Sequence, residues 1–158
     1  MRFNCFNSSI ISAMSYELLR ALHYAAIFAF AGALIIENMA IKPVISAEDA
    51  RNLAKVDRVY GISAFFVFSF GLALWLWVGK PSEFYSANLL FQLKLGLFIL
   101  MVFISIYPAL FFISHRRSTA DSIIVPKAII RLLKFELLLL LIIPVLASLM
   151  ARGIGLDG

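Results

Sequence analysis

Between Leu18 and Glu37 the chain reads LLRALHYAAIFAFAGALIIE, a run of about twenty residues that is almost entirely apolar. A helix of that length crosses roughly 30 Å of hydrocarbon. Within lipid, a helix is also the one single-segment structure that satisfies all of its own backbone groups. Three side chains break the run: Arg20, His23 and Tyr24. At about 100° per residue they lie within roughly a quarter turn of one another, with Ala31 and Asn38 further along the same face. Ala21, Ala25, Ala29 and Ala33 form a ladder of small residues on the opposite side, where a neighbouring backbone can approach closely.

Three further runs follow, over about 59–78, 88–113 and 127–150. The fold class predicted is all-α, an integral membrane bundle of four helices. Composition agrees: 63% of the 158 residues are hydrophobic and 15% charged, against about 45–50% and about 25% in a soluble domain. The formal net charge is +5, but the basic residues sit in loops between apolar runs. They read as topology signals, with the lipid bilayer as partner and no nucleic acid. Cys5 is the single cysteine and has no internal partner, and no His/Cys/Asp/Glu spacing resembles a metal motif.

Residues 1–13, MRFNCFNSSIISA, lack the basic start, apolar centre and cleavage site of a signal peptide. Met14-Ser15-Tyr16-Glu17 has the look of a natural start, so 1–14 is read as a disordered or mis-set extension and 15–158 as one domain.

Lys42-Pro43 stops the first helix. Ser46 then reads as an N-cap, with Glu48 and Asp49 in the first turn. From Ala47 to Asp57 the pattern is short and amphipathic, Ala50, Leu53 and Ala54 against Arg51, Lys55 and Arg58. This predicts a separate cytoplasmic helix lying on the membrane surface. In the second span, Asp57, Gly61, Ala64, Phe68, Gly71 and Trp75 share a face and read as a packing stripe. Trp75, Trp77, Phe84 and Tyr85, around Gly79-Lys80-Pro81, mark an aromatic belt. In the third, Lys94, Phe98, Met101, Ser105 and Phe112 share one face, Gln92, Gly96, Phe103 and Tyr107 the other, and Pro108 predicts a kink. Val125-Pro126 opens the fourth span, which carries Lys134, Glu136 and Pro144. Lys and Arg number eight in the loops at 38–58 and 114–131 and four on the other side. Positive-inside then places both long loops in the cytoplasm and both termini outside, N-out and C-out.

Ionisable residues within apolar helices are the functional candidates. Lys94 lies about six residues from the outer end of its span, roughly 9 Å deep, and His23 is at a similar depth. Lys94 either snorkels to the surface or faces a partner inside the bundle. His23 reads as a hydrogen-bonded packing residue or a ligand, and Arg20 beside it as an interfacial anchor or part of an anion-binding pocket. Glu136 lies well inside the fourth span, on the face of Leu140, Ile143 and Ala147. It either keeps its proton or pairs with a cation such as Arg58 or Lys94, in an interhelical hydrogen bond or a proton relay. His115 reads as solvated.

Arg20-Ala21-Leu22-His23, Asp57-Arg58-Val59-Tyr60, Leu93-Lys94-Leu95 and Arg131 with Glu136 fall in the order found in HemJ-type membrane proteins. The chain from Ser15 onward resembles those small helical, haem-binding protoporphyrinogen oxidases. It also resembles a related bacterial family of predicted four-helix membrane proteins of unknown function. Phe91-Gln92-Leu93 stands where HemJ-type proteins carry a tryptophan and a histidine, and Phe135-Glu136-Leu137 where they often read Asn-Glu-Pro. The resemblance implies a bacterial inner-membrane protein with haem b as cofactor. His23 would be the axial metal ligand, Arg20, Tyr24 and Lys94 would bind the tetrapyrrole, and Lys94 and Glu136 would be the catalytic pair of a tetrapyrrole oxidoreductase. Two other classes stand beside this one. The chain could be a small proton or ion transporter built on Glu136, Lys94 and Arg58, acting at a homo-oligomer interface. It could also be a non-catalytic assembly subunit whose polar groups hold helices together.

Overall fold

The computed structural model describes residues 2–78 and 88–152, and among them the side chains of 14–77, 88–150 and 152. Four helices dominate: α1 (Arg2–Ala40), α2 (Ala47–Ala73, continued by a π-helical turn over Leu74–Val78), α3 (Leu89–His115) and α4 (Lys127–Ala151). All four are long and apolar enough to cross a membrane. Large apolar side chains such as Phe28, Phe65, Phe103 and Leu141 point out of the bundle, as a hydrocarbon surround permits. The aromatic-belt residues at 79–87 lie outside the described residues, and of 2–13 only the helical backbone is described.

Three of the four helix starts have a local cause. Ser46 Oγ accepts from the Asp49 N–H while the Ser46 N–H donates to Asp49 Oδ2, closing a capping box. Asn88 Oδ1 accepts from the N–H groups of Leu90 and Phe91. Proline at 126 stands immediately before Lys127 and supplies a φ already suited to helix entry.

The segment from Ala47 to Asp57 is not a separate surface helix. It is the first three turns of a continuous α2. The amphipathic pattern is real: Ala50, Leu53 and Ala54 are buried while Arg51, Lys55 and Arg58 are exposed. Its apolar face belongs to the protein core together with Ile45, Ile123 and Val125 of the two neighbouring loops. Those loops meet in a two-residue antiparallel ladder, β1 (Val44–Ile45) with β2 (Ile123–Ile124). The Val125 N–H donates to the Pro43 carbonyl at 2.9 Å and extends it.

Each helix packs on its chain neighbours, and α4 returns to α1, so α1 lies diagonally across from α3 and α2 from α4. The core runs from Phe30, Leu34, Met101 and Leu139 to Phe112, Ile129 and Leu133. On α3 the face carrying Lys94, Phe98, Met101, Ser105 and Phe112 is the inward one, and Gln92, Gly96, Phe103 and Tyr107 are exposed. On α2 the expected stripe is rotated. Asp57, Tyr60, Ser63, Ala64 and Val67 are buried, whereas Gly61 and Phe68 face outward. On α1, Ala33 is buried but Ala21, Ala25 and Ala29 are exposed. Asn38 ties α1 to α4 by donating to the carbonyls of Leu34 and Leu133, both at 3.0 Å.

Candidate functional site

Two polar groups of residues occupy opposite ends of the bundle. At the end carrying β1 and β2, all four helices contribute. Glu37 comes from α1, Asp57 and Tyr60 from α2, and Glu136 from α4, with relative exposures of 1%, 7%, 3% and 0%. The Tyr60 hydroxyl donates to Glu136 Oε2 at 3.0 Å, and Ser105 of α3 lies beside the phenol. Glu37 is near enough to both Asp57 and Glu136 for their charges to interact. Glu37 Oε1 and Glu136 Oε1 are buried without a hydrogen-bond partner. The antiparallel register between α1 and α2 makes this convergence: it sets Gly71 against His23 at one end and brings Asp57 toward Glu37 at the other.

Among the described residues no cation enters this cluster. The one ion pair among the described residues is Arg20–Glu17, at 3.8 Å and well exposed. Arg58 is exposed on the surface of α2, and Lys94 lies at the opposite end. The cationic partner expected for Glu136 is therefore replaced by the Tyr60 phenol. Three ionised carboxyls without a counter-cation cannot share one buried site at reasonable cost, because desolvation and mutual repulsion add. Among the described residues no three His, Cys, Asp or Glu side chains are arranged to hold a metal ion.

At the opposite end, His23 and Lys94 are both half buried and lie close enough for a charge interaction. The His23 ring rests on α2 at Gly71, where an added Cβ would stand 3.3 Å from its Cε1. Its Nδ1 is buried with no hydrogen-bond partner. The Lys94 ammonium sits 4.9 Å from the Phe91 ring centroid, and Phe91 meets Trp75 edge-on at 4.9 Å. Lys94 thus turns into the protein. Arg20 and Tyr24 do not join this group. They are exposed and engage each other, the guanidinium 5.7 Å from the tyrosine ring centroid. Lys134 is exposed. His115 is half buried, its Nδ1 2.9 Å from the Phe111 carbonyl oxygen and its ring against Phe111.

An aromatic plug separates the two ends. Tyr60 stacks on Phe30 at 4.6 Å, and Phe30 contacts Phe98 at 5.8 Å. Along α1, the fourteen residues from His23 to Glu37 rise roughly 21 Å. His23 and Glu136 therefore serve different sites.

Sequence reasoning singled out Glu136 but passed over Glu37, Asp57 and Tyr60 as site residues. Glu37 and Asp57 stand near the ends of their apolar runs, where a charge is unremarkable. Their opposition depends on a register that periodicity alone does not carry.

No curated protein and no solved structure matches the chain. Residues 15–155 match a family described as a predicted membrane protein, and with four membrane-length helices and nearly the whole sequence covered, the chain belongs to that family, DUF2214.

Proposed function

We propose that this chain is a proton-coupled protein of the bacterial inner membrane, taking up and releasing protons through the Glu37–Asp57–Tyr60–Glu136 cluster. One observation carries the reading: three carboxyls from three helices converge in a buried site whose one hydrogen-bond donor among the described residues is a phenol. Buried ionisable groups in membrane helices are costly and mark function by default. With the Lys- and Arg-rich loops inside, the cluster faces the cytoplasmic half and both termini lie outside. The aromatic plug argues for a gated proton site, not an open pore. The test is proton flux in proteoliposomes under an imposed pH gradient. Wild type is expected to dissipate the gradient faster than empty vesicles, and Glu136→Gln to lose that excess. Equal rates for the two proteins remove the reading.

A second reading attaches to the other end, where His23 Nδ1 is buried and unpartnered beside Lys94. His23 would supply an imidazole ligand to a haem b there, and Lys94 a cation for a propionate. Haem would supply the electron chemistry there. Arg20 and Tyr24 are exposed and engage each other, apart from this pair. An absorption spectrum of detergent-purified protein beside His23→Ala tests this. A Soret band lost in the variant supports it, and no band after growth with haem precursor ends it.

A further inference from the structure

A cavity of about 310 Å³ lies between α2 and the end of α3, bordering the acidic group at Asp57. Arg58 and Arg116 stand at its mouth, and Gly61, Ile62 and Ile113 line it further along. Neither guanidinium has an ion-pair partner among the described residues. Ile62 and Ile113 are 52% and 47% exposed, so the cavity opens sideways onto the face that meets lipid. Arg116 follows the last residue of α3, which puts the mouth at the membrane boundary. Ile62 is one helical turn, about 6 Å, deeper than Arg58. The result is a cationic head site with an apolar trough beneath it.

We infer that this cavity binds an anionic phospholipid, its phosphate on Arg58 and Arg116 and an acyl chain along Gly61, Ile62 and Ile113. Two guanidiniums suit a phosphate because their paired N–H donors match its oxygens. Basic pockets between helices at a positively charged membrane face take such headgroups. A soluble anion would leave the apolar trough unfilled, and a zwitterionic headgroup would place an ammonium against two cations. Asp57 also borders the cavity. It is 7% exposed and interacts with Glu37 and Glu136, so it forms the inner wall and leaves the mouth net positive. The inference stands on the cavity and does not rest on proton coupling.

Gly61 provides a clean probe. A Cβ built there meets nothing within 4 Å, so a leucine is accommodated by the fold and fills only the trough. Helix propensity also favours the change. The experiment is native mass spectrometry of the full chain in detergent, titrated with phosphatidylglycerol, phosphatidylcholine or inorganic phosphate. Retention of phosphatidylglycerol over phosphatidylcholine is expected. Arg58→Gln/Arg116→Gln and Gly61→Leu should each weaken phosphatidylglycerol binding at least about tenfold, with inorganic phosphate giving no adduct. Equal retention of the two lipids overturns the site, as does wild-type binding by Gly61→Leu. An inorganic phosphate adduct that depends on the arginines overturns the lipid assignment.

Discussion

The Tyr60 hydroxyl meets Glu136 Oε2 at 3.0 Å, and this bond joins α2 to α4 across the diagonal of the bundle. Both residues are buried, at 3% and 0% exposure. Removing the donor leaves an acceptor stranded in a low-dielectric interior, a loss of about 1–3 kcal/mol. Tyr60→Phe is therefore expected to lower stability by that amount in detergent denaturation. Glu136→Leu, which removes the acceptor too, should add little to it in the double variant. Independent, additive losses would show that the pair does not act as a unit.

The capping box at Ser46 governs how α2 begins. Ser46→Ala should cost about 0.5–2 kcal/mol, and Ser46→Asp much less, since an aspartate accepts the same N–H. Equilibrium unfolding of the two variants checks the ordering. Equal losses would mean that this end of α2 is held by its apolar contacts alone.

The β1–β2 register makes a cross-linking prediction. Val125 N–H donates to the Pro43 carbonyl, so the next pair inward, Val44 and Ile124, is a non-hydrogen-bonded pair with Cα atoms roughly 4.5 Å apart. That separation suits a disulfide. Both side chains are exposed, at 52% and 80%, so replacing them removes no core. In a Cys5→Ser background, Val44→Cys with Ile124→Cys should oxidise readily and shift gel mobility. Val44→Cys with Ser118→Cys should not. Equal cross-linking in both would refute the register.

Gly71 is where α2 receives the His23 ring. A larger side chain there must displace the imidazole, since even a Cβ would stand 3.3 Å from its Cε1. Gly71→Leu is expected to shift the His23 ring resonances in a ¹⁵N-histidine spectrum while leaving those of His115 in place. An unchanged His23 signal would mean that the ring does not rest on α2.

The spans were legible because apolar runs of this length have few other structures open to them. Lys94 and Glu136 were legible for the same reason in reverse, since a charge inside such a run stands out. Helical spacing sorted α3 into the two faces the structure shows, but did not say which of them turns inward. The phase of α2 was not legible, because Gly61 and Phe68 suit lipid as well as a helix interface, and small residues carry no label for which they meet. The continuity of α2 through Asp57 was hidden for a related reason. An amphipathic turn looks alike whether its apolar face lies on a membrane or on the protein's own loops. Glu37 and Asp57 became a site only once the loop between α1 and α2 fixed which residues stand opposite. The pairing of Val44–Ile45 with Ile123–Ile124 joins segments nearly eighty residues apart, with two residues on each side and no periodicity to read.

That small ladder has a mechanical consequence. It fastens the α1–α2 hairpin to the α3–α4 hairpin at one rim of the molecule and leaves the other rim without such a staple among the described residues. At that far rim the chain itself runs from α2 into α3, so the two hairpins are tied at both ends, by a peptide link beside Trp75 and Lys94 and by four residues of ladder beside the acids.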